Sequence, residues 1–286
     1  MPEPRKPARR LLDLTLIASL NCMDGLLLAA DTEEVILQPP LLKTRREKLR
    51  VLRTPVLCQW QVVIGGAGEY DYIGMMEDFI EDKLSTGTFN PTSAEIEQAI
   101  RESVAEVWRD YARYEQRAID VKMLIASRES KQSLPRLSVV SGAAIRRGAP
   151  IEAIGTGDAI FKALADRFMP YSGLSTVSAL SAAARIFMVY AMFQAKQSIP
   201  GIGGNTRVLT LTDKGEIRPM KSWAVGEIQR FFSSIDLQIR GSIPALDSVK
   251  GDPVEWLIGS LAQTTLESYR TLKKQLKEIE DDDSLV

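Results

Sequence analysis

Apolar runs and turn residues alternate over the first third of the chain in the way that paired strands require. Two short apolar runs, Thr15 to Leu20 and Leu26 to Ala30, are separated by a segment that ends in Asp24-Gly25. Because Asp-Gly between apolar runs favours a tight turn, this pattern predicts a β-hairpin. A third run, Leu57 to Ile64, predicts another strand, which we expect to end at Gly65-Gly66-Ala67-Gly68.

Helical spacing of apolar residues follows. They recur every three or four positions from Tyr70 to Leu84 and from Ile96 to Tyr111, and a capping box at Thr92 to Glu95 precedes the second series. We predict two consecutive helices there. The remaining predicted elements are strands near Asp31 to Leu37, Val121 to Ala126, Leu137 to Val140, Ile151 to Ile154, Thr206 to Leu211 and Glu216 to Arg218, and helices ending at Leu164 and spanning Thr176 to Ala195, Ser222 to Leu237 and Asp252 to about Ile279.

The order of the elements is strands, two helices, strands, two helices, strands. This order is typical of two packed sheets with helices outside them. We therefore predict an α+β fold, a four-layer αββα sandwich. We expect residues 1–14 to be a basic leader or propeptide, residues 15–250 to be the αββα domain, and residues 251–286 to be an amphipathic C-terminal helix with an acidic tail. That helix packs on its own domain or, alternatively, docks against a neighbouring subunit.

Composition removes several classes of partner. Lys plus Arg total 36 against 37 for Asp plus Glu, so the formal charge of -1 argues against a nucleic-acid partner. The basic cluster from Arg45 to Arg53 fits a solvated edge strand better than a nucleic-acid site. No apolar segment is long enough to span a bilayer, and the N-terminus lacks a signal-peptide cleavage pattern. We predict a cytoplasmic protein with no membrane partner.

The chain contains no histidine. This absence excludes Ser-His-Asp, Cys-His and His-metal chemistry. Cys22 and Cys58 are too few for a Cys-only zinc site and are more typical of small buried hydrophobic residues in a reduced compartment. We predict no metal and no cofactor.

One motif in the predicted hairpin resembles a known family. Thr15, Gly25 and Ala29-Ala30-Asp31 keep, without gaps, the spacing found at the start of proteasome β subunits. On these residues the chain is identified as a member of the N-terminal-nucleophile hydrolases, similar to bacterial-type proteasome-like proteins. The resemblance implies that Thr15 is the nucleophile and that Asp31 assists it. It also implies a catalytic lysine followed by an apolar residue, which fits Lys48-Leu49 with one inserted residue and fits Lys43-Thr44 less well.

Two glycine-containing segments extend the resemblance. Val63 to Gly68 resembles the family's segment that donates a backbone N–H to the oxyanion, and Gly66 is the donor that this implies. Gly155-Thr156-Gly157 resembles the family's Gly-Ser-Gly beside the nucleophile, with Thr156 in place of serine. The implied catalytic set is therefore Thr15, Asp31, Lys48, Gly66 and Thr156.

The implied chemistry suits a chain without histidine. An N-terminal threonine supplies a hydroxyl nucleophile and an α-amine with a pKa near 8 that can act as general base. A buried Lys48 paired with Asp31 would favour deprotonation of the hydroxyl, and the Gly66 N–H would stabilise the tetrahedral oxyanion. The implied substrate is a peptide or another amide.

Two departures from the family pattern leave an alternative open. Leu14 precedes Thr15 where active members carry glycine for self-cleavage. The region that matches the family's Asp-x-x-Ser-Gly-Gly reads Ser198 to Gly204 and lacks both polar side chains. Our first hypothesis is a self-processing threonine-type amide hydrolase, a peptidase, that forms a homo-oligomer and has a possible ATPase partner. The alternative is a non-catalytic proteasome-like subunit with a structural or assembly role.

Overall fold

A computed structural model of the protein describes residues 15–36, 42–53, 60–86, 91–110, 119–129, 134–169, 181–245 and 270. The chain divides into two units, with the boundary between Pro219 and Met220. Every strand described lies in the first unit, together with four of the described helices, and the fifth lies in the second unit.

The first sheet is antiparallel, and the predicted hairpin lies at its centre. Its strands are β1 (Leu16–Cys22), β2 (Gly25–Asp31), β10 (Ile151–Gly155), β11 (Thr206–Thr212) and β12 (Ile217–Pro219), in the order β10-β1-β2-β11-β12. The hairpin prediction is confirmed. The strand β2 is buried along its whole length, as its continuous apolar sequence requires.

The second sheet follows the order of the chain. Its strands are β5 (Leu49–Arg53), β6 (Gln61–Gly68), β7 (Val121–Arg128), β8 (Arg136–Ser141) and β9 (Ala144–Arg147), and neighbouring strands pair antiparallel. This arrangement places the basic strand β5 at a sheet edge. A separate two-stranded sheet pairs β3 (Glu33–Ile36) with β4 (Leu42–Arg45).

The glycine segment after Ile64 is the last part of β6, which continues through it to Gly68, whereas we expected the strand to give way where the glycines begin. Gly65 pairs with Leu49 on one side and with Leu124 on the other. A Cβ on Gly65 would lie 2.8 Å from the Ile17 side chain, and a Cβ on Gly66 would clash with Ile73. The glycines therefore remain in the strand because neighbouring side chains occupy the space that their own would need.

Two helices cover the second sheet. They are α1 (Tyr70–Thr86) and α2 (Ser93–Asp110), whose buried apolar residues share one core cluster with residues of β6 and β7. The predicted capping box is confirmed, since the Thr92 N–H donates to Glu95 Oε2 at 2.6 Å and the Glu95 N–H donates to Thr92 Oγ1 at 3.3 Å. The predicted boundaries of both helices were therefore nearly correct.

The other helices are α3 (Asp158–Phe168), α4 (Ser181–Ser198) and α5 (Ser222–Ala245). In the first unit, α3 contacts β10, and α4 contacts β1, β2 and β11. The helix α5 belongs to the second unit.

One apolar core draws on both large sheets of the first unit. Ile17 and Leu28 of the first sheet and Val63 and Leu124 of the second are fully buried members of one cluster. Each such side chain contributes about 1.5–3 kcal/mol on burial. This core holds β1, β2 and β6 in a fixed arrangement; β2 carries Asp31, β6 carries Gly66, and Thr15 directly precedes β1.

The predicted fold class was wrong. The structure is a mixed α/β arrangement of two antiparallel five-stranded sheets and five described helices, and it does not confirm a four-layer αββα sandwich. The strands β3 and β4 form a third sheet that pairs with neither large one, and α5 falls in a separate unit. Apolar periodicity indicates the type of each element, but it does not determine how strands divide among sheets or how many layers result.

Some predictions fall outside the described residues. These are the leader at 1–14, the start of the Thr176 to Ala195 helix, and the terminal helix from Asp252, of which only Arg270 is described, in a helical conformation. The proposed division at residue 250 remains a prediction. In the part of the chain that the structure describes, no helix combines the length and apolar character that crossing a membrane demands.

Candidate active site

The site centres on Asp31, the last residue of β2, whose side chain is fully buried. The register of the hairpin pairs Ile17 with Ala30. The preceding residue on β1, Leu16, is thereby brought to Asp31, and its N–H donates to Asp31 Oδ1 at 2.9 Å. The hairpin therefore places Thr15 beside this carboxylate.

Lys48 reaches the same point from the segment between β4 and β5. The Arg46 N–H donates to the Thr32 carbonyl at 2.8 Å, which returns the chain to the end of β2. Lys48 Nζ then lies 3.1 Å from Asp31 Oδ1, 3.0 Å from Asp31 Oδ2 and 2.7 Å from Thr15 Oγ1. Lys48 therefore contacts two of the other predicted residues, Thr15 and Asp31. Lys43, the less favoured alternative, lies in β4 opposite Val35.

The electrostatics of this triad follow from burial. The Lys48 side chain is 8% exposed, and Thr15 is 5% exposed. Desolvation raises the pKa of Asp31, while the ammonium of Lys48 and the N–H groups of Leu16 and Gly203 oppose that rise. Charges interact strongly where little solvent screens them, so the Lys48 ammonium exerts a substantial positive potential on the adjacent Thr15 hydroxyl oxygen.

Gly66 lies close to Lys48 through the register of β5 and β6. Leu49 pairs with Gly65, and continuing the antiparallel register brings Lys48 to the level of Gly66. Both residues line one cavity of about 550 Å³. Its other lining residues are Arg46, Glu47, Leu49, Arg50, Val51, Tyr70, Ile73, Glu77 and Arg207.

The charged residues of this cavity are mostly paired. Arg50 binds Glu77, Asp78 and Glu81 on α1, and Arg207 binds Glu47. The basic cluster from Arg45 to Arg53 was predicted to be a solvated edge strand. Within it, Arg50 instead forms ion pairs with acidic residues of α1.

Thr156 lies in the turn between β10 and α3, and its side chain is exposed. The turn contacts the candidate nucleophile through its glycines. The Gly157 N–H donates to the Thr15 carbonyl at 3.4 Å, and a Cβ on Gly155, whose φ is +91°, would clash with that carbonyl. Thr156 is thus next in sequence to the two glycines that contact the Thr15 carbonyl.

Sequence reasoning missed one cation of the site. Lys196, near the end of α4, donates to Thr206 Oγ1 at 2.7 Å and to the Gly204 carbonyl at 2.8 Å. Burial lowers the pKa of Lys196 to about 8, although the negative charges of Asp31 and Glu33 oppose the shift. A lysine near a helix end ordinarily indicates solvent exposure, so no signal in the sequence pointed to it.

Within the described ranges, no cluster of three or more His, Cys, Asp or Glu side chains is placed to hold a metal ion. The free thiol of Cys22 is buried, and desolvation raises its pKa to about 12. Its chemistry is therefore that of a packed apolar residue.

Comparisons with known proteins give a fold and no family. No family model matches the chain, and no curated protein matches it. Among solved structures it is similar to Anbu from Hyphomicrobium sp. strain MC1, with 16% identity and a TM-score of 0.63 over 83% of this chain and 99% of that one. Anbu from Yersinia bercovieri, described as an ancestral beta-subunit, gives 15% identity and a TM-score of 0.63 over 83% and 99%.

A third similar structure is the helical assembly of the Anbu complex from Pseudomonas aeruginosa, with 14% identity and a TM-score of 0.59 over 84% of this chain and 98% of that one. These values show a shared fold alone. The identification as a bacterial-type proteasome β-subunit-like hydrolase of the N-terminal-nucleophile family was therefore wrong, because no family or curated match supports it. A few matched positions in one hairpin are too short a pattern to fix a family. The chain shares its fold with these Anbu structures.

Proposed function

We propose that this protein is a threonine-type amide hydrolase, a peptidase, in which Thr15 is the nucleophile. One observation carries the proposal: Lys48 Nζ lies 2.7 Å from Thr15 Oγ1 while it binds both oxygens of the buried Asp31. The proteasome-like fold of the Anbu structures supports it.

The first step needs a hydroxyl that loses its proton readily. The Lys48 ammonium stabilises negative charge on Thr15 Oγ1, and its ion pair with Asp31 holds it beside that oxygen. The proton passes to the α-amine of Thr15, whose pKa near 8 leaves a useful neutral fraction at pH 7 to 8. The oxygen then forms a bond to the substrate carbonyl carbon.

The tetrahedral intermediate carries its charge on the former carbonyl oxygen. The Gly66 N–H is the proposed donor to that oxygen, at the cavity that Gly66 shares with Lys48. Collapse of the intermediate breaks the C–N bond, and the protonated α-amine returns its proton to the leaving amine. Water then hydrolyses the ester on Thr15. We propose Thr156 as a neighbour that orients the amine.

This chemistry requires the Leu14 to Thr15 peptide bond to break, because an acylated nitrogen cannot accept a proton. We therefore propose that residues 1–14 form a propeptide removed by self-processing. The two cysteines, one of them a buried free thiol, support a cytoplasmic setting.

The test combines intact mass with peptide hydrolysis. Purified wild-type protein should lack the first 14 residues and should hydrolyse members of a fluorogenic peptide library. Thr15→Ala should retain the leader and lose hydrolysis. Thr86→Ala is the matched control, since it removes an exposed hydroxyl at the end of α1 and should change neither result. A retained leader together with wild-type activity in Thr15→Ala would place the nucleophile elsewhere.

The second candidate is a non-catalytic subunit of an assembly. Burial favours it, because Thr15 is 5% exposed in the chain with Leu14 still attached. It predicts a wild-type protein that keeps its leader and hydrolyses no peptide.

Both candidates include self-association. One Anbu protein of this fold forms a helical assembly. On that likeness we propose that this chain forms a homo-oligomer.

A further inference from the structure

Lys196 has an arrangement that a solvent-exposed lysine would not have. Its Nζ donates to Thr206 Oγ1 at 2.7 Å and to the Gly204 carbonyl at 2.8 Å. Both acceptors are neutral oxygens. Lys196 is half-buried, and the solvation that its ammonium loses is not replaced by a hydrogen-bonded carboxylate.

Both acceptors of Lys196 belong to the segment that pairs with the end of β2, where Asp31 lies. In the register of β2 and β11, Thr206 pairs with Asp31. The Gly203 carbonyl accepts the Thr32 N–H at 3.3 Å, and the Gly203 N–H is close enough to the Asp31 carboxylate to oppose the rise of its pKa. Lys196 therefore anchors the far side of the segment that presents an N–H to the central carboxylate of the site.

The charges that face Lys196 come from three other elements. Asp31 at the end of β2 and Glu33 of β3 favour its ammonium form, and Lys48 before β5 disfavours it. With desolvation as the largest cause, the pKa of Lys196 falls to about 8. Its charge is therefore present at neutral pH and is lost only slightly above it.

We propose, on the basis of the function proposed above, that Lys196 is a positioning residue of the site. It fixes Gly203 and Gly204 against Asp31, and it adds a positive charge behind the Asp31 carboxylate. That carboxylate in turn directs Lys48 at Thr15. Lys196 has no described contact with Thr15, so it acts through Asp31. A second cation near the carboxylate favours the ionised form of Asp31, which burial disfavours.

The proposal predicts a specific pH dependence. Activity rises as the freed α-amine of Thr15 loses its proton near pH 8. Activity falls as Lys196 loses its proton, also near pH 8, because the charge behind Asp31 disappears. Wild-type kcat/KM should therefore pass through a maximum. In Lys196→Arg the charge does not titrate in this range, so the curve should rise to a plateau.

The kinetic experiment compares Lys196→Met, Lys196→Arg and Thr206→Val with wild type. Lys196→Met should lower kcat about 10- to 100-fold with KM little changed, because misplaced catalytic groups slow the chemical step. Thr206→Val, which removes only an acceptor hydroxyl, should also lower kcat. Lys162→Met is the control, since this lysine on α3 is half exposed and pairs with Asp158. Wild-type pH profiles and rates in all three variants would overturn the proposal.

A second readout does not need activity. In the Thr15→Ala background, pH-dependent acylation of lysine amines, measured by peptide mass spectrometry, should give Lys196 an apparent pKa near 8. Asp31→Asn should lower it, because the carboxylate favours the ammonium, and Glu33→Gln offers the same comparison should Asp31→Asn fail to fold. If the wild type is inactive but the pKa of Lys196 still responds to these substitutions, the hydrolase proposal is refuted and the positioning of Lys196 at Asp31 is supported. A Lys196 pKa near 10.5 that ignores both substitutions would refute the positioning role.

Discussion

The Leu16 N–H donates to Asp31 Oδ1 across 2.9 Å, which ties the backbone beside Thr15 to the carboxylate that binds Lys48. One side chain at the end of a central strand therefore fixes both the approach of the candidate nucleophile and the position of its cation. A substitution at Asp31 would disturb both relationships together.

Removal of Lys48 should be costly in two ways. Lys48→Met leaves the fully buried Asp31 without its cation, which should destabilise the protein by about 3–5 kcal/mol and abolish both processing and hydrolysis. Chemical denaturation and intact mass measure the two effects. The double variant Asp31→Asn with Lys48→Met should be less destabilised than the sum of the single variants, because neither retains an unpaired buried charge. Additive losses would mean that the pair is not coupled.

Gly155→Ala should damage the site through the backbone. The φ of +91° disfavours a side chain there, and the new Cβ would clash with the Thr15 carbonyl. We expect a loss of about 1–3 kcal/mol in the free energy of unfolding, together with lower activity. Gly226→Ala in α5 is the control, since a Cβ there meets nothing within 4 Å, and it should stabilise by about 0.5–1 kcal/mol. Equal effects of the two changes would contradict the model of a clash at Thr15.

The stability of the protein should depend on Lys196 at alkaline pH. Its pKa falls from 10.5 in the unfolded chain to about 8 in the folded protein, so between these values the unfolded state binds more protons. The free energy of unfolding should therefore gain from this group as pH rises from 8 to 10.5. Urea titrations across this range should show a smaller gain in Lys196→Met than in wild type. Parallel curves would show that Lys196 titrates normally.

Sedimentation tests self-association. The chain has a mass of 31.7 kDa, and a homo-oligomer should sediment as a multiple of that mass, less the leader where processing occurs. Measurements at several micromolar concentrations, on wild type and on Thr15→Ala, separate assembly from processing. A monomer throughout the series would refute the oligomer proposal.

Local elements were well predicted from the sequence because their signals are local. The signals for the β1–β2 hairpin and for the Thr92 to Glu95 capping box each lie within a few residues, and both are confirmed, although the hairpin turn is Met23-Asp24 and Gly25 already begins β2. The contact of Thr15, Asp31 and Lys48 was implied by a resemblance in the hairpin and is present as geometry. Their catalytic roles remain predictions.

The features that sequence reasoning missed are set by distant contacts. The strands β3 and β4 pair with each other as a separate sheet. The apolar pattern of the sequence does not encode which strands form such hydrogen bonds. Gly65 lies inside β6 because Ile17, far away in the chain, fills the space beside it. Lys196 joins the site only because α4 contacts the first sheet near Thr206.

The seven residues of β2 are all buried, and the strand is paired on both sides. Backbone amides in such a strand exchange with deuterium only through the rarest openings, which approach global unfolding. Asp31 is therefore carried by the part of the chain that opens last. Fraying of outer strands leaves the position of this carboxylate unchanged, so inactivation by heat should coincide with cooperative melting of the first unit.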